Sequence, residues 1–251
     1  MIKVQLTPNN KIFIAQSFLK YQKEYCLQLP KIEKIISIQT DEFWAKFQSE
    51  DLYKRKYILY ISSDLFKYDN KFVSQVLYHE FTHLSDSLNF LNLSQNDFET
   101  IMISYSEFHA SFIEMGKRIN QIESVAISLQ SEIIHCDGIL TIESFMLQSF
   151  DKVVKDFELM SCNNSRNLHY DTNHMYYFIG YKFALKNFNL LYQEDTSLIN
   201  DLFLDMYKSI TDCFENGIDD YNEIIKYQNA FEQLVKDIYK RNLKTIFYNF
   251  L

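Results

Sequence analysis

Two histidines and a glutamate in the stretch Tyr78-His79-Glu80-Phe81-Thr82-His83-Leu84-Ser85-Asp86 have the spacing of metal chemistry. On a helix, side chains four residues apart share a face about one turn apart, so His79 and His83 present two imidazoles from one rigid rod while Glu80 is offset to the side. Zinc at a hydrolytic site takes three protein ligands and keeps a position for water. Glu80 lies too close along the helix to join the ligands without strain, but it can act on that water as general base. Chance supplies H-E-x-x-H in roughly one chain in a hundred of this length and composition, so the surrounding residues have to add weight.

Between Phe72 and Phe90, Val73, Leu77, Phe81, Leu84 and Leu88 recur at three- and four-residue steps and form one apolar stripe. His79 and His83 project nearly opposite it, and Phe72, Val76 and Phe90 share their face. The pattern predicts a helix over 70–90 covered on both sides, where two histidines need polar partners; the competing reading is a helix whose histidines only form hydrogen bonds. A third ligand has to come from elsewhere. Ser94-Gln95-Asn96-Asp97 has the form of a capping box and predicts a helix running toward Asn120, with Phe98, Ile101, Tyr105, Phe108, Phe112, Met115 and Ile119 in the core. Glu107 points the other way among Ser104, Ser106, Ala110 and Ser111, small residues that let a neighbouring helix come close, and it is the expected third ligand. Asp86 is open to three readings: orienting a ligand histidine, ligating the metal itself, or an ordinary polar residue near a helix end. Glu114 reads as a weaker ligand candidate, more simply a solvated glutamate, and His109 as a bystander on another face.

His79-Glu80-x-x-His83 followed by Glu107 on the next helix resembles the zincin metallopeptidases, specifically the gluzincin branch, in which a downstream helical Glu completes the zinc site. The resemblance covers about Tyr57 to Ile119. It implies Zn2+ held by His79, His83 and Glu107, catalysis by Glu80, and a peptide or protein substrate. Many gluzincins place an Asp four residues after the ligand Glu to support a histidine; this chain has Ser111 there, and Asp86 is the residue expected to fill that gap. A looser similarity to cytoplasmic peptidases of the ImmA/IrrE type implies a regulatory protein as substrate. Zinc peptidases often use a downstream His or Tyr to stabilise the oxyanion. His174, expected near a helix N-terminus that keeps it neutral, is the candidate, with His169 and Tyr177 behind it; the alternative is an aromatic core helix with a polar cap. The strand expected at Tyr57–Ile61 either borders the cleft and pairs with an extended peptide or is a buried core strand.

The remaining residues set the frame. A chain of 251 residues with 47% hydrophobic composition can bury a large core, and only four Gly and two Pro argue for helix over a sandwich. A net charge of -8 argues against nucleic acid or an anionic membrane as partner. Cys26, Cys136, Cys162 and Cys213 lack ligand spacing and are expected to be reduced and mostly buried, and His135-Cys136-Asp137 is read as structural. No signal peptide or membrane span is recognisable, so a cytoplasmic location is expected.

Alternation predicts a strand at 1–6, and periodicity predicts helices from Pro8 to about Tyr25, over 122–134, from Glu143 to Met160, from Thr196 to Phe214 and from Asp219 to Tyr248. The segment Ile32–Ile38 is ambiguous, Asp41 is expected to cap a short helix carrying Phe43, Trp44 and Phe47, and Ser161–Asp171 is expected as a loop before an aromatic helix. The expected architecture is α+β and mostly helical: a zincin-like domain over 1–120 with a small N-terminal sheet, and a helical part over 121–251 packed on it. Two other classes share these features, a zincin-like binding module without hydrolysis and a helical protein-interaction protein.

Overall fold

A computed structural model describes residues 2–51, 56–124, 126–162, 168–215 and 221–248. The fold is α+β and mostly helical, with one four-stranded mixed sheet and one two-stranded sheet. Strand β1 (Ile2–Val4) leads into helix α1 (Pro8–Glu24), which starts at the Thr7 cap and the Pro8 that follows it. Strands β2 (Lys34–Gln39), β3 (Ala45–Asp51) and β4 (Lys56–Ser62) complete the sheet in the order β1-β2-β4-β3. β2 pairs parallel with β4, and β3 pairs antiparallel with β4. The unbroken apolar run in β4 is explained by its inner position, which buries both faces. The strand free to border a cleft is therefore β3 and not β4. Phe43, Trp44 and Phe47 do not sit on a short helix: the alternation of Ala45, Phe47 and Ser49 with Lys46 and Gln48 places them in and before an edge strand.

Helix α2 (Asn70–Asn89) carries both histidines, and Asp69 caps it by accepting from the Lys71 N–H at 2.7 Å. Ile14 and Tyr21 of α1, Leu59 and Ile61 of β4, and Val73, Leu77 and Phe81 of α2 share one core. Tyr21 and Thr82 hydroxyls meet at 3.1 Å inside it, tying α1 to the back of the histidine turn.

The helix expected from Ser94 to Asn120 is broken. Helix α3 (Gln95–Ile103) ends and α4 (Tyr105–Asn120) begins at Ser104, whose φ of -119° and ψ of -82° lie outside helical geometry. Thr100 and Ser104 hydroxyls both bond back to the carbonyls four residues earlier, at 2.9 and 2.6 Å, a competition with the backbone that bends helices. The break turns α4 so that its first turn faces α2.

The predicted helix over 122–134 is absent: strands β5 (Glu132–His135) and β6 (Gly138–Thr141) form a hairpin, with Gly138 at a φ of 113° that suits glycine. Helices α5 (Ile142–Ser161), α6 (Leu168–Asn187), α7 (Asp201–Glu215) and α8 (Tyr221–Tyr248) follow. The start expected for the last of these, at Asp219, and residues 163–167 of the loop expected over Ser161–Asp171 lie outside the described residues, while Ser161 ends α5 and 168–171 already belong to α6. Phe108, Met115 and Ile119 of α4 share a second core with Phe150, Phe157, Phe178, Phe203 and Phe231, while Ile113 of α4 belongs to the first, so α4 is a wall common to both. Gly180 lets α6 lie against α4, since a Cβ there would run into the Phe108 carbonyl oxygen and come within 3.0 Å of Phe112 N and Ser111 Cβ. No described helix is long and apolar enough to cross a membrane.

Candidate metal centre

α2 and the first turn of α4 face each other, and three atoms meet between them. Glu107 Oε2 lies 3.5 Å from His79 Nε2 and 3.3 Å from His83 Nε2. All three side chains are largely buried. Glu107 Oε2 is shielded from solvent and has no hydrogen-bond partner.

The opposite ring nitrogens are held by other partners. His79 Nδ1–H donates to Glu114 Oε2 at 3.0 Å, and Glu114 Oε1 accepts from Arg118 Nη2. His83 Nδ1–H donates to Ser106 Oγ at 2.8 Å, and that hydroxyl donates onward to Asp86 Oδ2 at 2.9 Å. With Nδ1 engaged as the donor in both rings, Nε2 is the nitrogen left to face Glu107: protonated it shares its proton with that carboxylate, and deprotonated it presents a lone pair. In the deprotonated form three lone pairs converge, an arrangement that a cation can satisfy. Ligands about 2.0–2.1 Å from a tetrahedral ion stand about 3.3–3.4 Å apart, close to the two separations found here. Each imidazole also has the outer partner that metal-bound histidines use. The donor set therefore fits a small divalent cation.

Protonation follows the same contacts. Burial opposes charge on His79, but the Glu107 and Glu114 carboxylates outweigh it and push its pKa up to about 10. Burial would raise Glu107, yet His83 and His79 hold it well below the usual carboxylate range. Glu80 is shifted upward by burial, against the pull of His83 and His79. Its Oε2 accepts from the Phe47 backbone N–H of β3 at 2.8 Å, which fixes the carboxylate beside the histidines and leaves its other oxygen for a further partner.

The structure brings His79, Glu80, His83 and Glu107 together. Asp86 is buried and reaches His83 through Ser106, while its other oxygen accepts from His109 Nδ1 at 2.9 Å, which places it one residue away from the candidate ligands. His109 is thus no bystander. Glu114, expected in solvent, is buried against His79 and Arg118. Two sequence signals point to it: it lies seven residues after Glu107, two turns along the same face, and four before an arginine.

His174 is six residues into α6 and not at its N-terminus; Asp156 of α5 holds its Nδ1 at 2.6 Å. Asn173 Nδ2 donates to Glu107 Oε1 at 3.4 Å, and the Tyr177 ring packs edge-on against His79 at 5.6 Å. Burial first, then the nearby carboxylates, raise the Tyr177 phenol well above its ordinary value, so it stays a donor. The His169 side chain lies outside the described residues.

Cys136 Sγ stands 3.5 and 3.6 Å from the two nitrogens of His135, and Asp137 Oδ2 lies 3.3 Å from His135 Nδ1, so the trio read as structural brings three donor atoms close enough together to hold a metal ion. All four cysteines are free; Cys26 and Cys162 are exposed and the other two partly buried, less covered than expected because they fall at helix ends and a hairpin turn.

The centre lies between two cavities of about 690 and 610 Å³, both lined by His79, Glu80, His174 and Tyr177. Comparison with protein-family models, curated proteins and solved structures finds no match.

Proposed function

We propose that this chain is a zinc-dependent metallopeptidase, with His79, His83 and Glu107 holding the metal. The observation that carries the reading is the convergence of two histidine Nε2 atoms on one buried Glu107 oxygen. Zinc in that position would supply Lewis acidity, making water acidic enough to lose a proton near neutral pH and polarising a carbonyl.

The chain's own groups do the rest. Glu80, held by the Phe47 N–H and with an upward-shifted carboxyl, takes a proton from water and passes it to the leaving nitrogen. The amide C–N bond breaks, the water oxygen stays on the carbonyl carbon, and its proton goes to the amine. The protonated Tyr177, and His174 when Nε2 carries a proton in addition to the Nδ1–H held by Asp156, are the donors for the carbonyl oxygen as charge builds on it. A peptide or protein substrate in the cytoplasm belongs to this reading; it is supported by the free thiols and the acidic net charge of -8.

Elemental analysis of wild type, Glu80→Gln and Glu107→Ala tests it. Near-stoichiometric zinc in the first two and loss in the third is expected, with peptide hydrolysis by wild type alone. A wild type that takes up no zinc on reconstitution would sink the reading.

A further inference from the structure

The two cavities flank the metal centre along α2. The larger is lined by Phe72 and Val76, before His79; the smaller by His83 and Ser87, after it. Both share Ala45, His79 and Glu80, so the two cavities adjoin at the histidines beside the start of edge strand β3. A pocket that trims chain ends needs a stop on one side of the reacting atoms. Here each side has more volume than one residue fills.

The sides differ in chemistry. The larger cavity has charged groups of both signs, among them Arg118, Lys152 and Asp64. On the His83 side, Phe98, Met102 and Ile103 of α3 and Phe47 of β3 form an apolar wall. Apart from the centre's own Glu80 and Glu107, the charged residues there are Glu42 and Lys46, both exposed at the mouth. The wall exists because of the break at Ser104, which brings the end of α3 over the same space into which α4 delivers Glu107. Met102 and Ile103 are only partly buried, since the surface they show faces this cavity. Apolar area left open beside a polar centre is stabilised by an apolar side chain of a ligand.

We propose that the cleft accepts the interior of an extended polypeptide and that Phe47, Phe98, Met102 and Ile103 select a large apolar side chain on the His83 side of the metal centre. The proposal rests on the metallopeptidase reading and names its substrate class.

The test is binding of eight-residue peptides, acetylated and amidated, to zinc-loaded Glu80→Gln protein, followed by fluorescence anisotropy. One position at a time is varied among Leu, Phe, Gly and Asp. Blocked peptides are expected to bind, and at one position Leu→Gly is expected to weaken binding at least about tenfold. Adding Met102→Lys should shift the preference at that position toward Asp. Should that variant lose its zinc or its unfolding transition, Met102→Ala serves instead and should favour Phe over Leu.

Binding confined to peptides with free ends, or affinities indifferent to the varied residue, would overturn the proposal. So would a folded, zinc-loaded Met102 variant with unchanged preference. Turnover by wild type is read separately. Selective binding without hydrolysis would leave the cleft's selectivity standing and remove the peptidase reading.

Discussion

Glu114 Oε2 lies 3.0 Å from His79 Nδ1, and the other Glu114 oxygen is held by Arg118, so a candidate ligand imidazole is locked to a buried ion pair on the helix that also carries Glu107. Arg118 Nη1 in turn donates to the Ile134 carbonyl of β5 at 3.0 Å. The orientation of one candidate ligand thus depends on a chain of contacts reaching from α2 through α4 to the hairpin. His83 has an independent support of the same kind through Ser106 and Asp86.

Glu114→Gln should keep the shape of this support and lose its charge. Outer partners of this type typically change metal affinity 10- to 100-fold. Zinc affinity, measured by competition with a chelator, is expected to fall by about that range while saturating zinc still gives full occupancy. Glu114→Ala is the harsher change, because it strands the buried Arg118 guanidinium, and should cost about 3–5 kcal/mol of stability. Equal zinc affinity in wild type and Glu114→Gln would show that the contact does nothing for the metal.

The metal-free centre should have its own pH signature. His79 is raised from 6.5 to about 10, so its contribution to stability is complete below about pH 6.5 and is lost as pH rises toward 10. Glu107 and Glu114 are lowered from 4.5, so theirs is complete above that value and is lost as pH falls. Metal-free protein is expected to gain most from this cluster between about pH 4.5 and 6.5. Zinc competes with the proton on His79, and its stabilising effect should therefore grow as pH rises through neutrality. Thermal unfolding from pH 4 to 10, with and without zinc, checks both trends. A zinc-induced shift that shrinks between pH 6 and 8 would contradict the assignment.

Much of this was legible in the sequence, for identifiable reasons. The long periodic segments around His79 and from Glu143 to Met160 became helices because their apolar stripes are broad and uninterrupted. The placement of Glu107 against the histidines was legible because its face of small residues contrasts with the aromatic face behind it. The failures are local competitions that periodicity does not register. Ser104 breaks a helix whose apolar stripe runs straight through it, because hydroxyl-to-carbonyl bonds replace backbone ones. The hairpin of β5 and β6 looked helical because Ile133 and Ile134 fit a helical spacing, although β-branched pairs beside a glycine turn suit strands better. Asp156 was invisible as a partner of His174, since only the tertiary packing of α5 on α6 brings them together.

Gly180 should be intolerant of any side chain. In Gly180→Ala the new methyl would meet the Phe108 carbonyl and the 3.0 Å neighbours on α4, so the two helices must separate. Overpacking of this kind costs about 1–3 kcal/mol. The same shift moves Asn173, His174 and Tyr177 away from Glu107, so zinc affinity should fall along with the unfolding midpoint. By contrast, Gly116→Ala meets no atom within 4 Å and should be neutral or slightly stabilising through helix propensity. Equal midpoints for the two variants would refute the close approach.

His174 and Asp156 make a pair whose roles separate experimentally. Their contact is 2.6 Å, His174 lines both cavities, and neither residue is placed to bind the metal. If His174 donates to the carbonyl oxygen, His174→Ala should lower kcat by about 10²–10³ with KM little changed, the mark of a contact made only in the transition state. Asp156→Asn keeps the volume but can donate to Nδ1 as well as accept from it, so in a fraction of molecules Nδ1 would carry the lone pair and Nε2 the proton, the tautomer change that follows when an orienting aspartate is amidated in a triad. That variant should show a smaller loss of kcat and an altered pH profile, with zinc content intact. Loss of zinc in His174→Ala would move this residue from catalysis to the support of the centre, and unchanged kcat in both would leave Tyr177 as the donor.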